Sequence, residues 1–241
     1  MQISENPRAA EAMIRQAHAT HEARSPRAEG LHVSDLIYCL RKAWYRRAGV
    51  PAPDLHPDEL QVLLLGHSQH VLLQCEGERE RPITLALGGE TVHGTVDLLL
   101  HGKLPVEIKT TRTSSKKAPQ LTAPHYLEQL AAYCLGLRNR SGRLAVWHLH
   151  GDYGQHRLPQ LKVWDVTFTA RELERWEAEL SRRVTLVTTD TPPAPGDHYD
   201  WECRYCPFHE ARGGPCPGGP GREAPFFVDD NLPTWAQGEE P

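Results

Sequence analysis

The sequence predicts an α/β fold, a central mixed β-sheet flanked by helices. Three observations predict it. Residues 8–75 show helical periodicity interrupted by Pro/Gly breaks, residues 83–110 carry three strand-like segments around glycine turns, and residues 126–187 read helix, strand, strand, helix. With 241 residues, 39% hydrophobic and 24% charged, the chain suits one large domain with an ordinary core.

Residues 8–24 form a polar amphipathic helix. Ser34 and Asp35 cap a second, LIYCLRKAWYRR, which ends at Gly49 ahead of Pro51 and Pro53. Pro57 or Asp58 opens a third, ELQVLLLGHSQHVLLQC, too long and apolar for a strand. Residues 83–87, bounded by Gly88-Gly89, pair as a hairpin with 91–100, and 104–110 follow the Gly102 turn as another strand. Residues 114–124 make a polar, proline-containing loop. Residues 126–137 are helical, 143–150 and 161–169 are strands, and 171–187 is a charged amphipathic helix. Beyond Thr191 proline and glycine dominate, so regular structure should be sparse. The expected organisation is one domain over 1–220 with its core at about 57–188, a cysteine region made of 34–49 plus 197–218, and a tail over 221–241.

The net charge of −4 is unevenly placed. From residue 221 onward Arg222 faces Glu223, Asp229, Asp230, Glu239 and Glu240, while the preceding 220 residues balance 26 bases against 26 acids. The acidity lies in the tail, and the body is free to carry basic patches, so composition neither requires nor excludes a nucleic-acid partner. No apolar run approaches the ~20 residues of a membrane span, and MQISENPRAAEAM lacks a secretory signal's pattern. A cytoplasmic protein without a membrane partner is expected. Its six cysteines then point to metal or redox chemistry rather than a disulfide framework.

The central motif is GTVDLLL (94–100) followed by PVEIKTTR (105–112). Glu107 and Lys109 are two apart on a strand and leave the same face, while Ile108 points into the core. Asp97 lies on the neighbouring hairpin strand. Two converging carboxylates beside a lysine suit Mg²⁺ or Mn²⁺, and the lysine is placed to orient a water or stabilise charge in phosphoryl transfer. An ordinary surface Glu–Lys pair would show the same short pattern, so the flanking motifs decide.

The D…ExK pattern resembles the PD-(D/E)xK nuclease superfamily, and the flanking segments resemble its RecB-like branch. There a preceding helix carries Gly-x-x-x-His, matched here by Gly66 and His70, with His67 as competitor; a following helix carries Gln-x-x-x-Tyr, matched by Gln129 and Tyr133. The resemblance implies a restriction-endonuclease-like core and a catalytic set of His70, Asp97, Glu107, Lys109, Gln129 and Tyr133. It implies a metal held by His70, Asp97, Glu107 and the Ile108 backbone carbonyl.

Cys203-x2-Cys206 and Cys216 need a fourth ligand for a Cys₄ site. Cys39 sits in a context that resembles the first-cysteine segment of cluster-bearing RecB-like nucleases, where a leading cysteine lies in an early helix. The resemblance implies a 4Fe–4S cluster on Cys39, Cys203, Cys206 and Cys216. Cys₄ is equally a zinc set, and His209 in the long Cys206–Cys216 gap is an alternative ligand. Cys75 and Cys134 read as small buried hydrophobes.

A standalone chain of this length, without a P-loop, is most similar to the CRISPR-associated Cas-four exonucleases and their viral relatives. That implies cleavage of single-stranded DNA from ends, and in CRISPR systems trimming of spacer precursors alongside the integrase proteins. For DNA binding, Arg112, Lys116 and Lys117 follow the ExK strand directly, and Arg41, Lys42, Arg46 and Arg47 are interleaved with Trp44 and Tyr45. Those aromatics serve base stacking or pack in the core. The competing functional class is a non-catalytic DNA-binding or assembly subunit that keeps the nuclease fold.

Overall fold

The structure is a computed structural model that describes residues 6–24, 27–74, 76–112, 124–149, 159–199, 201–222 and 226–227. In chain order the elements are α1 (Pro7–Arg24), β1 (Leu31–His32), α2 (Val33–Ile37), α3 (Leu40–Arg47), α4 (Pro57–Leu73), β2 (Glu78–Leu87), β3 (Glu90–Leu100) and β4 (Leu104–Thr111). They continue as α5 (Pro124–Gly136), β5 (Ser141–His148), β6 (Gln160–Thr167), α6 (Ala170–Thr188) and α7 (Glu202–Tyr205). The sheet is mixed and flanked by helices, as the sequence predicts.

β2 runs antiparallel along β3 from the Glu78–Leu99 pair to the Leu87–Glu90 pair. β1 pairs in parallel with Val92 and His93, and β4 pairs antiparallel with Leu98 to Leu100. Since β2 occupies one edge of β3 over this length, β1 and β4 share the other edge. β5 then adds in parallel to β4, and β6 antiparallel to β5. Leu36, Ile37, Val92, Val96, Leu130, Leu144, Trp176, Leu180 and Val184 build the main core between the sheet and helices α2, α5 and α6. A smaller cluster of Leu98, Val106, Ile108 and Ala145 receives Leu73 from α4. Cys134 is fully buried in the main core, as its reading as a small hydrophobe requires, and Cys75 lies outside the described residues.

α4 begins at Pro57, with His56 as its cap and Glu59 accepting from the His56 N–H at 2.8 Å. It is less enclosed than its apolar sequence suggests: Val62, Leu63, Leu65, Val71 and Leu72 are exposed. No helix among the described residues is long and apolar enough to cross a membrane.

The continuous helix expected over 36–47 is two helices broken at Tyr38 and Cys39. The break follows from outside competition for the backbone. Cys39 N–H donates to Glu202 Oε1 at 3.0 Å and Leu40 N–H to the Asp197 carbonyl at 3.4 Å. Arg183 Nη1 donates to the Leu36 carbonyl at 2.8 Å and Arg222 Nη2 to the Ile37 carbonyl at 3.4 Å. Distant groups, three side chains and one backbone carbonyl, thus satisfy positions that an unbroken helix would satisfy internally. Cys39 caps α3 rather than lying inside a helix. Ser34 and Asp35 likewise lie within α2, whose cap is His32; Asp35 accepts from the His32 N–H at 3.0 Å.

Two ionic arrangements, one buried and one partly exposed, fasten the C-terminal segment. Glu128 on α5 is fully buried, accepts from Arg222 Nη1 at 2.8 and 3.0 Å, and stands 3.9 Å from Arg183. Phe226 and Phe227 pack against Trp176, with ring centroids 4.6 and 5.5 Å away. Arg222 and these two phenylalanines, within the segment read as a tail, therefore belong to the folded body; Trp235 lies outside the described residues. Separately, Arg212 grips Glu59 through two hydrogen bonds of 2.6 and 2.9 Å, joining the cysteine-bearing region to the start of α4.

The Arg212 hydrogen bond holds the Glu59 carboxyl down from an ordinary 4.5 to about 2. A depressed carboxyl stabilises the fold fully above its ordinary pKa, and that contribution fades as pH falls toward the depressed value. Arg212→Gln is therefore expected to destabilise by up to ~1 kcal/mol at pH 7, given the partial exposure of the pair, and by less at pH 3. Urea unfolding at the two pH values measures this; an equal loss at both would contradict it.

Candidate active site

β4 parts from β3 after the Val106–Leu98 pair, and the site lies in that splay. With the ladder ended, Ile108 N–H donates to Asp97 Oδ2 at 2.7 Å, so the carboxylate substitutes for a strand partner. Asp97 is fixed from behind as well, where Gln74 Nε2 donates to its backbone carbonyl at 2.7 Å. Gln74 follows α4 directly, which places His70 one turn earlier with Nδ1 3.7 Å from Asp97 Oδ1. His67 points elsewhere and stacks on His21 of α1 at 3.9 Å between centroids, so of the two histidines His70 faces the carboxylates.

Glu107 and Lys109 leave β4 toward α5, opposite to Ile108, as strand alternation demands. Glu107 is wholly buried and in close ion-pair contact with the Lys109 ammonium. Beyond that contact, neither Glu107 oxygen receives a hydrogen bond among the described residues. Lys109 Nζ donates to Gln129 Oε1 at 3.1 Å, and Gln129 Nε2 donates to the Tyr133 hydroxyl at 2.7 Å, one helical turn along α5. The structure thus brings His70, Asp97, Glu107, Lys109, Gln129 and Tyr133 together.

Electrostatics at this site are set by burial. It pushes Glu107 up to about 8, with the Asp97 charge adding and Lys109 opposing. Burial also raises Asp97, against Lys109 and the Ile108 N–H. Burial alone would lower Lys109, but Glu107, Tyr38 and Asp97 outweigh it and hold the lysine raised, hence charged. His70 is lowered to about 4, by burial and then by Lys109, so its imidazole is neutral near pH 7. Two buried carboxylates raised by burial lack positive charge, which is the deficit a divalent cation fills. The hard-oxygen donors and the orphaned Glu107 oxygens fit such an ion. Among the described residues no three His, Cys, Asp or Glu side chains are spaced to ligate one; the ammonium lies against Glu107 and His70 against Asp97.

Several residues at the site escape sequence reasoning. Gln74 also donates to Glu80 Oε1, and Glu80 adopts a left-handed φ of 47° between the Arg79–Leu98 and Arg81–Val96 pairs, facing Asp97 across the hairpin. Nothing in ERER marks that kink. Tyr126 lies 5.7 Å from Lys109 Nζ, and His125 is surrounded by Tyr38, Tyr126, Tyr199 and Trp201 at 4.3 to 5.8 Å. Burial, then Lys109 and Arg222, lower His125 to about 3. Trp201 remains 45% exposed, so this aromatic group reaches solvent beside the lysine.

Cys39, Cys203, Cys206 and Cys216 line one small cleft, together with Arg41, Lys42, His198 and His209. The long Cys206–Cys216 gap closes because it folds back: Cys216 N–H donates to the Phe208 carbonyl at 2.8 Å and Glu210 N–H to the Cys216 carbonyl at 2.7 Å. All four cysteines are free thiols, and burial pushes Cys39 up to about 12. His209 Nδ1 is occupied by the Ala211 N–H at 3.1 Å, whereas buried His198, unmarked in the sequence, stands 3.7 Å from Cys203 Sγ. Here too, no three such side chains among the described residues are spaced to ligate a metal ion.

Of the basic residues, Arg112 is exposed at the end of β4, Arg41 faces the cysteine cleft, and Arg46 pairs with Asp35 at 2.9 Å; Lys116 and Lys117 lie outside the described residues. Tyr45 is buried against Phe208 and Trp44 Nε1 donates to the Thr189 carbonyl at 2.8 Å, which decides for packing over base stacking at these two rings.

The family model of the PD-(D/E)XK nuclease superfamily matches residues 8–211. The chain belongs to the PD-(D/E)XK nuclease superfamily. Membership accounts for the mixed sheet flanked by helices and makes the chain a nuclease by family, with DNA as substrate class and divalent ions such as Mg²⁺ or Mn²⁺ as its metal class. Among solved structures this nuclease is similar in fold to SSO0001, with 20% identity over 83% of this chain and 94% of that one, at a TM-score of 0.57. A looser likeness, with TM-score 0.39 and 12% identity over 64% of this chain and 79% of that one, is to a phage related exonuclease from Haemophilus somnus 129PT. No curated protein matches the sequence.

Proposed function

We propose that this nuclease is an Mg²⁺/Mn²⁺-dependent exonuclease acting on single-stranded DNA ends, of the Cas-four type. The observation that carries the reading is the buried Glu107 carboxylate, beside Asp97 and under the Lys109 ammonium, with oxygens that no other described donor satisfies. Asp97, Glu107, His70 and the Ile108 carbonyl hold the ion in this reading. When bound, the ion lowers the pKa of a coordinated water and offsets charge on the scissile phosphate. Lys109 orients the attacking water or meets the developing charge, while Gln129 and Tyr133 hold its ammonium in place. Arg112, Lys116, Lys117, Arg41 and Arg46 engage the backbone. The half-exposed Trp201, next to His125 and Tyr38, supports a single-stranded substrate, because unpaired bases stack on such rings.

The same reading places a 4Fe–4S cluster on Cys39, Cys203, Cys206 and Cys216, which would clasp the two ends of the nuclease core. The shared cleft supports it. The biological setting it implies is CRISPR spacer-precursor processing alongside integrase proteins, or viral DNA processing.

Labelled single-stranded DNA should be shortened from an end in Mn²⁺ and remain intact in chelator. Release of internal fragments first, or cleavage that persists in chelator, would reject this reading. Protein purified anaerobically should be brown and bleach in air. Colourless protein that contains zinc would reassign the cysteines to a structural zinc site.

A further inference from the structure

A second cleft, beside the cysteine cleft with which it shares Cys39 and Lys42, is lined by Arg27, Ser34, Asp35, Tyr38 and Arg46 and has a volume of about 210 Å³. Its chemistry is organised by one acid. Asp35 is 8% exposed and accepts on one oxygen from Arg27 and the His32 N–H, and on the other from Arg46 at 2.9 Å. A carboxylate held in this way fixes two guanidinium groups that would otherwise move freely. Arg27 and Arg46 remain 42% and 48% exposed, so each keeps donors free for a further acceptor. Lys42 and the Ser34 hydroxyl complete the lining.

Three cations against one carboxylate leave the cleft with two positive charges in excess. A phosphodiester carries one negative charge; a terminal phosphate monoester carries close to two at neutral pH, with three acceptor oxygens. The forked arginine donors suit such a group. Position agrees with charge. Tyr38 forms one wall of the cleft; its ring lies 5.6 Å from His125, which lies 4.3 Å from Tyr126, whose ring is 5.7 Å from Lys109 Nζ. A run of aromatic rings therefore connects the cleft to the carboxylate site.

We infer that this cleft binds the terminal phosphate of a DNA strand, anchoring the end while the adjoining chain passes the carboxylates. The proposal rests on the nuclease reading for its ligand and deepens it by naming the strand end that is recognised. Arg27 carries no motif signal and Ser34 and Asp35 read from sequence only as helix caps, so the fold is what joins them to Lys42 and Arg46.

One oligonucleotide sequence, labelled internally, is prepared with hydroxyls at both ends, with a 5′ phosphate, or with a 3′ phosphate. Binding is measured by fluorescence anisotropy in chelator, where no cleavage intrudes. One phosphorylated form should bind about tenfold more tightly than the hydroxyl form, the scale of one charge-assisted interaction. Arg27→Gln and Lys42→Gln, tested separately, should each bring the two affinities together, and inorganic phosphate should compete against the phosphorylated form more than an equal ionic strength of chloride does. Equal affinity for all three ends, or a preference that survives both variants, would overturn the proposal. Absence of Mn²⁺-dependent cleavage would instead strike the nuclease reading, since the binding comparison does not depend on it.

Discussion

Lys109→Met is expected to lower Mn²⁺-dependent cleavage of single-stranded DNA by about 10²- to 10³-fold, the range for removing one preorganised charge-stabilising donor. The argument runs through Glu107. Its carboxyl is already raised to about 8 by burial, and Lys109 opposes that rise. Removing the ammonium while keeping a side chain of similar length lets the carboxyl rise further, so a divalent ion must displace its proton at a larger cost. The residual rate of the variant should therefore rise over a higher pH range than the wild-type rate does. Gln129→Leu removes only the hydrogen bond that holds the ammonium, and a loss of about tenfold is expected. Initial rates across pH measure both. A Lys109→Met enzyme within a few-fold of wild type would show that the amine has no part in the chemistry.

The largest stability effect should come from Arg183→Met. Arg183 is 2% exposed, donates to Glu179 at 2.7 Å and to the Leu36 carbonyl at 2.8 Å, lies 3.9 Å from Glu128, and stacks over Trp176 at 5.0 Å. Methionine fills much of the space but leaves the buried Leu36 carbonyl without its donor and takes one of two nearby guanidinium groups from Glu128. Breaking one side of such a buried arrangement costs about 3–5 kcal/mol. For a chain of this size that corresponds to a fall in melting temperature of roughly 6–20 °C. Calorimetry gives the answer, and a loss below ~1 kcal/mol would mean that solvent or Arg222 compensates. Adding Glu128→Leu should deepen the loss rather than recover it, because it strands the buried Arg222 guanidinium that Glu128 pairs.

The readable parts of the sequence were those in which local pattern and tertiary demand coincide. Asp97, Glu107 and Lys109 sit on strands with clear boundaries, and period-two alternation sends Glu107 and Lys109 to one face. His70, Gln129 and Tyr133 were located by order along the chain, and the fold gathers them. What was missed depends on tertiary context. The break at Tyr38–Cys39 is imposed by Glu202, Asp197, Arg183 and Arg222, none of which is local to it. The two-residue strand β1 is too short to carry a period, and Glu80's left-handed turn sits in a charged run without glycine. Gln74 reads as an ordinary helix-end amide until Asp97 comes to lie above it.

The interrupted stretch between α2 and α3 has a consequence for how the molecule is made. Its hydrogen-bond partners lie 147 residues downstream for Leu36, 163 for Cys39 and 185 for Ile37. A ribosome releases this stretch early and the residues that complete it near the end, so the joint closes late, after the sheet between them has assembled. Until then its amides and carbonyls belong to water, and a nascent chain arrested before residue 183 has no means of finishing its own first fifty residues.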